Sequence, residues 1–101
     1  MEFQDLISGF IRLHILHHAA ESEIYGLWII EELARHGYRI SPGTLYPMLQ
    51  AMETRGYLVS REDPDGRQGR RRKLYAATPE GRRGLVLARE RLRELTGEVA
   101  R

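Results

Sequence analysis

Two helix starts of the same kind, Ser41-Pro42 and Thr78-Pro79-Glu80, stand on either side of a turn signal, Asp63-Pro64-Asp65-Gly66. At each start a hydroxyl side chain can accept hydrogen bonds from the first amides, and proline takes a first-turn position where no amide partner is lost. Glu80 adds a negative charge near the positive end of the second helix dipole. The turn residues reverse the chain between two short β-prone runs, Tyr57-Leu58-Val59-Ser60-Arg61-Glu62 and Arg72 to Ala77. Arg67 to Gly69 lengthen the tip, so residues 57–77 are expected to form one long hairpin between two helices.

Helical spacing fills the rest of the chain. Over residues 2–20, Phe3, Leu6, Ile7, Phe10, Ile11, Leu13, Ile15 and Leu16 recur at intervals of three and four, with no proline. That apolar arc is wider than one core-facing stripe, so the first helix is expected to bury more than one face. A second helix is expected over 23–36, capped by Ser22, with Ile24, Leu27, Ile30 and Leu33 on one side and Gly37 as a left-handed C-terminal cap. The third, over 42–55, places Leu45, Met48, Leu49 and Met52 inward and closes at Gly56. Pro47 conflicts with a regular helix counted from Ser41; a regular part that begins near Thr44 would put it in the first turn. The last helix spans 79–99.

At 101 residues, with neither an internal repeat nor an interdomain linker, the chain reads as a single domain, 1–101. The fold class is mainly α with a small β-hairpin. Three helices, a hairpin with a basic tip and a closing helix make the order of a winged helix-turn-helix. No apolar run approaches the roughly 18–20 residues of a membrane span. Glu2, Asp5 and Arg12 interrupt what a signal peptide needs as its apolar stretch. The absence of cysteine excludes disulfides and thiolate metal sites and fits a cytoplasmic protein.

The net charge of +2 is distributed unevenly. Residues 1–40 hold three bases against six acids, whereas residues 61–78 hold six bases against three acids, concentrated in Arg70-Arg71-Arg72-Lys73. A local basic patch suits a polyanion such as DNA, although a solvated loop has the same composition. With the apolar face of the third helix buried, Gly43, Tyr46, Pro47, Gln50 and Thr54 point outward. Gln50 can pair with an adenine edge in the major groove. Ser41, Thr44 and Tyr46 can reach phosphates, and Gly43 permits close backbone approach. Ordinary packing of Tyr46 and a plain surface role for Gln50 are the alternatives. Arg67, Arg70, Arg71, Arg72 and Lys73 on the hairpin would grip the DNA backbone; for Lys73 and Arg61 structural ion pairs are an equal option.

Leu85, Ala88, Leu92, Leu95 and Val99 recur at intervals of 3, 4, 3 and 4, flanked by charges. With Phe3, Ile7 and Phe10 of the first helix they form an expected homodimer interface, though the same spacing serves a helix packed on its own domain. His14 and His18 lie one turn apart, beside His17, which is metal-ligand spacing. No carboxylate or cysteine supports them locally, so core or interface histidines are the reading and no metal is expected. His36, near a helix end, reads as a dipole partner. Tyr25 and Trp28 are the candidate lining of an effector pocket, with packing as the alternative. No nucleophile motif or glycine-rich phosphate loop is present, so neither an enzyme nor a cofactor is expected.

Ser41-Pro42-Gly43-Thr44-Leu45-Tyr46-Pro47-Met48-Leu49, continuing through Met52-Glu53 to Gly56-Tyr57-Leu58, resembles the recognition helix of the PadR family of transcriptional regulators. Gly69-Arg70-Arg71-Arg72-Lys73-Leu74-Tyr75, followed by Thr78-Pro79-Glu80-Gly81, is similar to that family's wing strand and last-helix start. The single C-terminal helix looks like the small subfamily. The resemblance implies a homodimer joined through the first and last helices, usually a repressor, with the third helix and the wing on double-stranded operator DNA. It makes Pro47 a family feature, and it implies small-molecule sensing as known for some members. Leu27 departs from the pattern, since the family commonly carries an aromatic residue there. The competing reading is a winged-helix module used for protein–protein contact without DNA.

Overall fold

A computed structural model describes residues 3–64 and 72–99. The order is α1 (Gln4–Glu21), α2 (Gly26–Arg35), α3 (Pro42–Thr54), β1 (Leu58–Asp63), β2 (Arg72–Ala77) and α4 (Pro79–Val99). The strands pair antiparallel from Leu58↔Ala77 to Asp63↔Arg72. This is the expected winged-helix architecture.

One core serves all six elements. Ile11, Ile15, Leu16 and Ala19 of α1 meet Ile29 and Leu33 of α2 and Leu45, Met48, Leu49 and Met52 of α3. Leu58, Tyr75 and Ala77 close it from the hairpin, and Leu85 from α4. Burial pushes the Tyr75 phenol up from its ordinary value, and the nearby Glu53 carboxylate and Tyr46 add to the shift.

Both helices of the helix-turn-helix end in the same way. Tyr38 N–H reaches Leu33 O at 2.9 Å and Gly37 N–H reaches Ala34 O at 3.1 Å; Tyr57 and Gly56 repeat the pattern on Met52 and Glu53. Gly37 (φ 90°) and Gly56 (φ 95°) supply the left-handed residue that this motif requires. The reversal fixes the short turn from α2 into α3 and the direct exit from α3 into β1.

The start of α2 differs from the expected residue 23. Ile24 instead exchanges both backbone hydrogen bonds with Tyr75, at 2.9 and 2.7 Å, so the segment after α1 lies as a short antiparallel bridge on the outer edge of β2. Pairing with the sheet edge outweighs the local cap at Ser22, and the helix begins only after Tyr25. Arg61 secures the same link, donating from Nε and Nη2 to the two oxygens of Glu23, each at 2.6 Å.

Helix α3 is helical from Pro42, with Pro47 inside it rather than in the first turn of a helix starting near Thr44. Pro47 has no amide to offer the carbonyl of Gly43. Gly43 and Pro47 both lie on the exposed outer face of α3, so the missing bond falls on the solvent side of the helix rather than in the core. Ser41 starts the helix through its backbone carbonyl, which accepts from Leu45 N–H at 2.9 Å, while its hydroxyl donates to Thr44 Oγ1 at 3.3 Å instead of capping an amide.

Helix α4 is seated by two small contacts. Thr78 Oγ1 donates to Gly56 O and accepts from Gly81 N–H, joining the end of α3 to the start of α4. Gly81 lies against the Tyr57 carbonyl and the Leu16 side chain, with no space for a Cβ. Beyond that the helix leaves the domain: Leu85 is buried, Ala88 and Leu92 are half-buried, and Leu95 and Val99 are exposed. Among the described residues no helix is long and apolar enough to cross a membrane.

Candidate nucleic-acid interface

The outer face of α3 is the part of the helix-turn-helix that α2 and the core leave uncovered. Gly43, Tyr46, Pro47, Gln50 and Thr54 are all exposed there, opposite buried Leu45, Met48, Leu49 and Met52. Ser41 is exposed at the entrance to the helix and Thr44 is half-buried. Gln50 presents two donors and an acceptor from the middle of the face. Tyr46 is less free than its sequence position suggests. Its ring tip rests on Gly26 at the start of α2, where only hydrogen leaves room, so its 48% exposure is of a ring held against the neighbouring helix.

The wing divides its basic residues between different tasks. Arg67, Arg70 and Arg71 lie outside the described residues. Arg72 is committed to the fold: its Nε donates to Asp63 Oδ2 at 2.8 Å, and the guanidinium sits 3.9 Å from the Tyr25 ring centre. Hydrogen bonding to the Asp63 carboxylate, and secondarily to the Tyr25 hydroxyl, holds the Arg72 guanidinium above its ordinary pKa. Asp63 is buried, and this arginine neutralises its carboxylate. Arg72, expected on the DNA backbone, is thus also part of a structural ion pair within the hairpin. Lys73, the next residue, is exposed on β2 opposite Glu62. Arg55, at the end of α3, stacks 5.1 Å from the Tyr57 ring centre and adds a cation beside the face.

Tyr25 and Trp28 do not meet. Tyr25 lies under Arg72, whereas Trp28 packs edge-on against His18 with ring centres 5.3 Å apart. Tyr25 stands just before α2, beside the hairpin, and Trp28 lies within α2 on the side facing α1, so the two expected pocket residues sit in separate packing environments.

A groove of about 220 Å³ lies instead between α1 and α4. Phe10, Leu13, His14 and His17 line one wall; Leu85, Ala88, Arg89 and Leu92 line the other. Arg89 Nη2 donates to His17 Nδ1 at 2.9 Å across it. Of the residues expected at a dimer interface, Phe3, Phe10, Leu95 and Val99 are exposed and Ile7, Ala88 and Leu92 are half-buried. Leu85 is buried in the chain's own core. The structure adds Leu6, Val86 and Leu87, exposed apolar residues of the same two helices that the seam spacing did not single out.

The histidines also acquire a setting that local spacing does not reveal. His14 and His18 of α1 face Glu32 and His36 at the end of α2. Glu32 Oε2 lies 3.1 Å from His36 Nε2 and 3.4 Å from His18 Nε2, and its other oxygen accepts from Arg35 at 2.6 Å. His14 packs on His36 at 4.8 Å between ring centres and edge-on to Tyr38 at 5.2 Å. Burial pushes His14 and His18 below the ordinary imidazole value of 6.5, with repulsion from His36 strongest among the neighbours at His14. Hydrogen bonds from Arg35 and His36 hold Glu32 below the usual carboxylate range. The missing carboxylate is thus Glu32, and its own four-residue spacing to His36 is the signal that could have pointed to it.

Comparison with known proteins agrees with the architecture. The profile of the transcriptional regulator PadR-like family matches residues 15–86. The chain is 54% identical over 89 residues to the Transcriptional regulator Rv3488 of Mycobacterium tuberculosis, covering 88% of this chain and 81% of that one. It superposes on the crystal structure of a PadR family transcriptional regulator from Eggerthella lenta with a TM-score of 0.81 at 31% identity, covering 95% of this chain and 83% of the other. A PadR-like transcription factor from Bacteroides fragilis gives a TM-score of 0.83 at 25% identity, with 96% and 93% covered.

Proposed function

The chain belongs to the PadR-like family of transcriptional regulators, a family of regulators rather than enzymes, and on that premise we propose that it binds operator DNA as a homodimer. The observation that carries this reading is the outer face of α3: five adjacent exposed positions, stripped of large apolar groups apart from Tyr46, on a helix whose other face is wholly buried. Seated in a major groove, Gln50 contacts a base edge while the hydroxyls of Ser41 and Thr44 and the first-turn N–H of Gly43 donate to phosphates. The wing, carrying Lys73 and the arginine run, follows the adjacent backbone and supplies salt-dependent affinity. In this reading the protein acts in the cytoplasm as a repressor, released by a small effector.

Pairing of the subunits through α1 and α4 is supported by their exposed apolar residues. Phe3, Leu6, Phe10, Val86, Leu87, Leu95 and Val99 are all left uncovered on these two helices. Two copies give two reading heads, and the half-sites then fall about one helical turn of DNA, 10–10.5 base pairs, or a multiple of it apart.

Selection of bound duplexes from a random pool tests the proposal. The expected product is an inverted repeat whose preference relaxes in Gln50→Ala. No duplex binding at low salt would overturn it and favour a module that meets only protein.

A further inference from the structure

We propose that His14, His18 and His36, with the carboxylate of Glu32, form a binding site for a divalent transition-metal ion of the zinc or cobalt type. The donors come as two pairs at four-residue spacing, His14/His18 on α1 and Glu32/His36 at the end of α2, so each helix presents both of its ligands on one face. The packing of α1 against α2 turns those faces toward each other. The nitrogens of the three histidines that would ligate lie within 4.8 Å of one another.

Two edges of the polyhedron are already in place. A tetrahedral ion with ligands at about 2.0–2.1 Å separates its donors by about 3.3–3.4 Å. Glu32 Oε2 stands 3.1 Å from His36 Nε2 and 3.4 Å from His18 Nε2. His14 lies within 4.8 Å of the other two histidines and closes on the ion when it binds. A cation bound here replaces the N–H groups now facing Oε2, and each displaced proton moves to Nδ1 or to solvent.

Three histidines and one carboxylate are a borderline donor set, which suits Zn²⁺ or Co²⁺ better than Mg²⁺ or Ca²⁺. The outer partners are present as well. Arg35 holds the second oxygen of Glu32 at 2.6 Å, and Trp28 and Tyr38 pack edge-on against His18 and His14. Such contacts fix the orientation of ligands and limit water access. A second trio, His17, His18 and Glu21, shares His18 but lies along α1 alone, and its distances to Glu21 are longer, at 3.6 and 3.7 Å.

His14 also lines the α1–α4 groove, so an ion here ties the helix of the proposed subunit contact to the helix that supports α3. This consequence, and only this one, rests on the proposed DNA-binding function: metal occupancy changes the angle between two reading heads and hence operator affinity.

Titration of the metal-stripped protein with CoCl₂ near neutral pH, without DNA, tests the site. The expected result is one Co²⁺ per chain, with the intense visible bands of tetrahedral cobalt, displaced by equimolar Zn²⁺. His36→Gln, an exposed substitution, and His18→Gln should each weaken binding by more than about 100-fold, beyond the 10–100-fold that loss of an outer partner costs. His17→Gln should retain it, with circular dichroism confirming helix content in all three. Absence of cobalt binding, retention of it in both His36→Gln and His18→Gln, or its loss in His17→Gln overturns the assignment. Operator affinity with and without Zn²⁺ is then measured separately. An unchanged affinity removes the coupling but leaves the site, and absence of any duplex binding sinks the proposed function without touching the cobalt result.

Discussion

Arg72 and Asp63 are the cross-strand partners nearest the turn of the hairpin, joined by a 2.8 Å hydrogen bond from guanidinium to carboxylate. Asp63 is buried, and the face of the guanidinium is occupied by Tyr25. Arg72→Ala removes both contacts. A lower thermal midpoint is expected, because the buried Asp63 carboxylate loses a charge-assisted hydrogen bond. Lys73→Ala, one residue away on the same strand, should leave the midpoint unchanged and lower duplex affinity instead. Equal midpoints for the two variants would show that the hairpin does not depend on Arg72.

Gly81 and Gly84 lie one turn apart on α4 and should respond oppositely to alanine. A Cβ at Gly81 meets the Tyr57 carbonyl, a backbone atom that accepts the Thr78 amide and cannot yield. Gly81→Ala should cost about 1–3 kcal/mol by overpacking. At Gly84 a Cβ meets nothing within 4 Å, so Gly84→Ala should stabilise by up to about 1 kcal/mol through helix propensity. Urea unfolding midpoints check both signs.

The Glu23–Arg61 pair predicts a pH window. Hydrogen bonds from Arg61 hold the Glu23 carboxyl below its ordinary value of 4.5. A carboxylate whose folded pKa is depressed contributes stability that is complete above its unfolded value and fades as pH falls through the folded one. The thermal midpoints of wild type and Glu23→Gln should therefore differ by a constant amount above pH 4.5 and converge below it. Both side chains are well exposed, so the difference is small and shrinks with salt. A gap that widened on acidification would contradict the assignment.

Phe10 and Leu95 project from α1 and α4 with 40% and 47% of their surface exposed. Phe10→Glu combined with Leu95→Glu should convert a dimer to a monomer in sedimentation equilibrium while leaving the thermal midpoint of the isolated domain near that of wild type. A wild-type protein that is already monomeric at micromolar concentration would remove the α1–α4 pairing from the proposed function.

Local sequence determined the elements themselves. Ser41-Pro42 and Thr78-Pro79 mark the starts of α3 and α4, Gly37 and Gly56 mark two helix ends, and the spacing of Leu45, Met48, Leu49 and Met52 selects the buried face of α3. These signals are legible because capping, left-handed backbone and helical period depend on residues within about one turn of each other. What each side chain does once buried was decided by the tertiary structure. Ser22 carries a good local cap, yet Ile24 joins the edge of β2 and delays α2. Arg72 belongs to a basic run, yet Asp63 and Tyr25 claim it. His14 and His18 are one turn apart in the sequence, but their carboxylate is brought by a different helix, through the packing of α1 on α2. Contacts between elements depend on crossing geometry and register, which no window of neighbouring residues encodes. The pattern of a winged helix was readable along the chain, and the division of its charged residues between structure and surface was not.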